Sequence, residues 1–192
     1  MTATIHINPL PGVPLCESPL FGHVVAAMQP APEVARVAED LNRDGFAVID
    51  FPDEAVAARA ERIKRSLSPR FDLGARRRSA TGGLRLQDAW QFDADVRAIA
   101  CNHYVINLRS QTYGRQAWPF QTLTFPVGTQ QHFHSDAVHF SSIPERFMCG
   151  VWVALEDIDL EAGRWFTIRA ATNGRSTRTS ISVRIRSLAA SP

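Results

Sequence analysis

The side chains best suited to chemistry crowd into one stretch, Gly128-Thr129-Gln130-Gln131-His132-Phe133-His134-Ser135-Asp136-Ala137-Val138-His139-Phe140. His134 and Asp136 stand two residues apart. In an extended strand, positions i and i+2 face the same side, with Cα atoms about 7 Å apart. An imidazole and a carboxylate placed that way can converge on one ion. Two histidines and one carboxylate make a facial set for non-haem iron(II), leaving coordination positions open for oxygen and substrate. The same spacing also occurs by chance on solvated strand edges, so the pair alone does not decide the chemistry. His132 shares its face and is a rival ligand or a donor behind the ligands. His139 falls on the opposite face of a regular strand. His6, His23 and His103 lie outside the cluster and read as surface or packing residues.

The elements that must position this stretch follow from periodicity. Pro9, Pro11, Pro14, Pro19 and Pro30 mark residues 1–30 as an irregular lead-in. Pro32 suits the first turn of a helix running to about Asn42, with Val34, Val37, Ala38 and Leu41 at helical spacing. Gly45 ends it, and Phe46 to Phe51 reads as a strand. Further helices are expected from Asp53 to about Leu67 and over roughly 93–111. Residues 68–85, with Arg76-Arg77-Arg78 and Gly82-Gly83, read as a loop. From Trp118 the character changes to short β-rich runs, Phe120 to Phe125, Gln131 to Phe140 and Phe147 to Leu155, punctuated by prolines. Helices followed by closely spaced strands predict a mainly β or α+β domain, a barrel or jelly roll with N-terminal helices.

Several of these runs carry a family resemblance. Phe120 to Gln131, then His134-Ser135-Asp136, then Gly150-Val151-Trp152-Val153-Ala154-Leu155-Glu156-Asp157 resemble the bacterial phytanoyl-CoA dioxygenase family, as does the earlier Leu41-Asn42-Arg43-Asp44-Gly45-Phe46-Ala47-Val48. The resemblance spans about 40–163. It implies a double-stranded β-helix, a cupin-like jelly roll, and a hydroxylase that uses Fe(2+), 2-oxoglutarate and O2. It implies that His134 and Asp136 are the first two iron ligands, and that Trp152 lines the 2-oxoglutarate pocket with Gln131 beside it. A packed core tryptophan and a surface amide are the plainer readings of the last two.

The chain departs from the family after Gly163. Relatives continue with a Pro-Leu run, then Gly-Ser-His, whose histidine is the third ligand, then an arginine that holds the 2-oxoglutarate carboxylate through a bidentate pair. Here the sequence reads Glu161-Ala162-Gly163-Arg164-Trp165-Phe166-Thr167-Ile168-Arg169-Ala170-Ala171-Thr172, and no histidine follows His139. Back-translated with GC-rich codons and given one restored C after the Gly163 codon, Gly163 to Gly174 becomes Gly-Pro-Leu-Val-Tyr-Tyr-Pro-Gly-Ser-His-Lys-Trp, the family's continuation. A reading-frame shift is therefore expected, making the barrel incomplete. Residues 1–163 hold 15 Arg and Lys against 19 acids, whereas 164–192 hold six Arg and no acid. Such a tail is expected to be poorly ordered, with Ile181 to Ile185 able to form one edge strand. The domain reading is a lead-in over 1–30, a partial dioxygenase domain over 31–163 and an out-of-frame tail over 164–192.

Other classes are weighed against this one. The tail mixes Arg with Ser, Thr, Ile and Val rather than forming a basic run, which argues against nucleic acid. No basic start precedes an apolar run, and no apolar run is long enough to cross a membrane, so the expected setting is cytoplasmic. Cys16, Cys101 and Cys149 lie far apart without a CxxC, and read as small buried hydrophobes. The expected partner is a small-molecule substrate, with no specific protein partner. The alternatives are an inactive truncated fragment or binding module, and a cupin-like barrel that holds another metal through His132, His134 and Asp136.

Overall fold

The computed structural model describes residues 8–72, 84–126, 142–156 and 180–184. Helix α1 spans Phe21–Met28 and α2 Pro32–Asp44; strand β1 is Phe46–Asp50 and helix α3 Val56–Leu67. Strand β2 is Leu86–Gln87, followed by helices α4, Ala94–Ala100, and α5, His103–Tyr113. Strands β3, Leu123–Thr124, β4, Gly150–Val153, and β5, Ser180–Arg184, complete the set.

Helix α2 forms where its spacing predicts. Pro32 opens it at the position where a missing N–H costs nothing, and Gly45 ends it at φ 79°, its N–H donating to Leu41 O. Val34, Val37, Ala38 and Leu41 form its buried stripe. That stripe joins Ala47, Ile49 and Phe51 from the first strand region and Val105, Leu108 and Tyr113 from α5 in the main core. Burying each large side chain there contributes about 1.5–3 kcal/mol. A second cluster of Ile63, Leu67, Ala89 and Val96 packs α3 against α4. The two helices are also latched by charge. Asp95 accepts from Arg62 Nε and Nη2 at 2.6 and 2.7 Å and from Arg59 Nη1 at 2.8 Å, while Arg59 Nε reaches Asp53 at 2.7 Å.

Two local features differ from the periodicity reading. The lead-in contains α1, a proline-free run that ends at Gln29 with φ 46°; it buries no residue and has no side-chain cap, so no periodic or capping signal announces it. The single helix expected over 93–111 is two. Cys101 and Asn102 interrupt it, and Asn102 caps α5 by accepting from Val105 N–H at 3.1 Å.

The larger sheet is three-stranded and parallel, in the order β1-β5-β4. The tail stretch expected as an edge strand thus lies in the middle, with Phe46 and Gly150 both in register with Ser180 and Ile49 and Val153 both with Val183. Strand β3 is antiparallel to β2, pairing Leu86 with Thr124 and Gln87 with Leu123, whereas β4 runs parallel to β5. The described architecture is therefore mixed helix and sheet, with helices α2 and α5 on one face of the parallel sheet.

Candidate functional site

Of the residues singled out for cofactor binding, Trp152 lies within the described structure. In-register neighbours of a parallel sheet share a face, and alternate residues change face. Ala47 and Ile49 are buried in the helical core, and Val153 packs against it. Trp152 is in register with Ser182 and, through it, with Val48, which is 39% exposed. Trp152 and Val48 therefore occupy the face turned away from α2 and α5. There Phe125 stacks on Trp152, with ring centroids 6.3 Å apart and planes 11° from parallel. Phe125 follows directly on β3, and β3 is pinned to the helical half by its pairing with β2 and by Asp88, whose N–H donates to Thr122 O at 2.8 Å. The stack fixes the chain's course shortly before Gly128, where the His- and Asp-rich stretch begins.

Gln131, His132, His134, Asp136 and His139 lie outside the described residues, as do His6 and the Arg76-Arg77-Arg78 run. His23 on α1 and His103 at the start of α5 are exposed, in keeping with a surface role. Among the described residues, no three His, Cys, Asp or Glu side chains come close enough to hold a metal ion. No helix among them is long and apolar enough to cross a membrane.

A second chemical cluster was not foreseen. Arg109 on α5 is 8% exposed, with its guanidinium carbon 3.9 Å from the centroid of the Tyr113 ring. Its Nη1 has no hydrogen-bond partner among the described residues. The Tyr113 hydroxyl donates to Met148 O at 3.3 Å, and its ring meets Phe147 edge-on at 6.1 Å. Burial pushes the Tyr113 phenol and the Cys16 thiol well above their ordinary values. No spacing rule could have found this cluster, because Arg109 and Tyr113 meet Phe147 and Met148 only through the fold.

No curated protein and no solved structure matches the chain. The family model for phytanoyl-CoA dioxygenase (PhyH) matches residues 23–169, a span that holds α2 through β4 and the whole stretch from Gly128 to Phe140. The chain belongs to the phytanoyl-CoA dioxygenase family.

Proposed function

We propose that this chain derives from an Fe(II)- and 2-oxoglutarate-dependent dioxygenase that hydroxylates a small molecule, and that its turnover as written is impaired. The observation that carries the reading is the family match over 23–169, which contains the His134–Asp136 pair. On this reading His134 and Asp136 are metal ligands, and Trp152 and Gln131 flank the 2-oxoglutarate site. The stack of Trp152 on Phe125, on the sheet face away from the helical core, supports a pocket on that side. The double-stranded β-helix and a cytoplasmic setting are part of the same proposal.

The donor set does not complete the family's centre. Two histidines and a carboxylate are needed, and the sequence has no histidine after His139. The described residues contribute no ligand cluster of their own. A frame shift after Gly163 accounts for both the lost histidine and the acid-free tail; on that account 164–192 stands where the third ligand and the carboxylate-binding arginine belong. The alternative of an inactive fragment or binding module rests on the same shortfall.

Metal titration tests the assignment. The chain should bind iron(II) weakly, and His134→Ala or Asp136→Ala should weaken it further. Tight stoichiometric binding that survives His134→Ala would overturn it.

A further inference from the structure

We propose that Glu17 and Arg146 form a positioning latch, which sets the course of the chain into β4 and thereby the seat of the Trp152 ring against Phe125. Arg146 precedes β4, which starts at Gly150, and its Nη2 pairs with a Glu17 carboxylate oxygen at 2.5 Å. The Glu17 side chain is only 4% exposed, whereas that of Arg146 is 43% exposed. A carboxylate so deeply buried is costly without its cation, so Glu17 fixes where Arg146 must lie. Glu17 is itself anchored in the helical half. Its turn, Leu15–Glu17, buries Leu15 and Cys16, and the Asn42 side-chain amide on α2 donates to Cys16 O at 2.8 Å.

The backbone at Arg146 carries the second observation. Its φ is 74°, a conformation that a non-glycine residue keeps only where its surroundings over-determine it. The contacts on either side do so. Ser142 Oγ accepts from Phe147 N–H at 3.0 Å and donates to Pro144 O at 2.8 Å. The Phe147 ring meets Tyr113 edge-on at 6.1 Å and has the Arg115 guanidinium 4.7 Å from its centroid. The Tyr113 hydroxyl donates to Met148 O at 3.3 Å. Residues 147 and 148 are thus tied to the end of α5, while residue 146 is tied to the Leu15–Glu17 turn. Strand β4 has four residues and pairs with β5 through Gly150 to Val153, so this clamp at its entrance is a further constraint on where it runs. Trp152, on that strand, stacks on Phe125. The functional reach of the latch rests on the proposed place of Trp152 beside the 2-oxoglutarate site, where Arg146 acts through β4 as a positioning residue.

The test uses the full chain, labelled with 5-fluorotryptophan and read by fluorine NMR without any ligand. The resonances of Trp90, Trp118, Trp152 and Trp165 are assigned by single Trp→Phe substitutions. Because no 2-oxoglutarate is added, a wrong assignment of the cosubstrate site leaves this result untouched. Arg146→Gln should move the Trp152 resonance by more than its linewidth and leave Trp90 in place. Glu17→Gln should move it in the same direction, and the double variant no further than the larger single shift. Arg146→Lys, which keeps the charge, should move it less. Arg146→Gly accepts the positive φ without strain, so it keeps the fold while still breaking the pair, and it too should move Trp152. Asp95→Asn breaks an ion pair elsewhere and should leave Trp152 unmoved. The proposal is overturned if Arg146→Gln or Arg146→Gly lowers the melting temperature with Trp152 unmoved. It is equally overturned if Trp90 moves as far as Trp152, if the two single shifts add in the double variant, or if Asp95→Asn shifts Trp152 as much.

Discussion

The helical half, residues 8–113, and the strand-rich half beyond Trp118 are held together by different physics. In the first, neighbours in space are mostly near neighbours in sequence: α2 leads through Gly45 straight into the strand it covers, and α3 is latched to α4 by Asp95. In the second, β4 finds its partner in β5, and β5 finds β1 from the other end of the chain. The first half owes most of its order to local periodicity and two apolar clusters. The second depends on pairings between segments far apart in sequence, and it carries the residues on which the proposed chemistry rests. A sequence change after Gly163 would therefore fall on β5, the strand that joins β1 of the first half to β4 of the second.

That contrast can be attacked at graded cost. Leu41→Ala, at 2% exposure in the main core, should cost about 2–5 kcal/mol in a denaturant melt. A loss below 1 kcal/mol would mean that the helical half is not the stable part. Ser182→Pro, in the middle strand, removes a ladder N–H between β1 and β4 and should cost about 1–3 kcal/mol. An unchanged melt would mean that β5 contributes nothing to stability. Trp152→Ala loses the stack on Phe125 and should cost about 0.5–1.5 kcal/mol beyond the area it buries. It should also weaken 2-oxoglutarate binding in the frame-restored chain, as measured by calorimetry.

The smallest effect is expected at the latch. Asp95→Asn should cost about 1 kcal/mol or less, since its arginine partners reach solvent. Its pH dependence has a definite sign. Hydrogen bonds from Arg62, foremost, and Arg59 bring the Asp95 carboxyl down to about 2, below its unfolded value near 4. The stabilisation is therefore complete above pH 4 and is lost as pH falls towards 2. Wild type and Asp95→Asn should differ in melting temperature at pH 6 and converge near pH 2; a gap that widened on acidification would refute the assignment.

What was legible in the sequence follows the same divide. Pro32, the Val34 to Leu41 stripe and Gly45 announce α2 because caps and periodicity act within a few residues. Helix α1 was missed because it buries no residue and lacks a side-chain cap, so no pattern separates it from coil. The break at Cys101-Asn102 was hidden by continuous helical spacing, although Asn102 is a good cap residue. The middle position of β5 and its parallel pairing were beyond local reasoning, since strand partners are set by long-range register. Trp152 was identified through family resemblance, and the structure adds its face and its aromatic neighbour. Arg109 was invisible because nothing near it in sequence marks a buried cation.

The chain belongs to the phytanoyl-CoA dioxygenase family, and on the proposed function its metal site lacks its last ligand. The most direct measurement compares two proteins, the chain as written and one with a single C restored after the Gly163 codon. Each is supplied with iron(II), 2-oxoglutarate and oxygen, and succinate release is followed. The account predicts succinate from the restored protein and none above background from the chain as written. Equal turnover by both would contradict it and require the third ligand to come from His132, His139 or the tail.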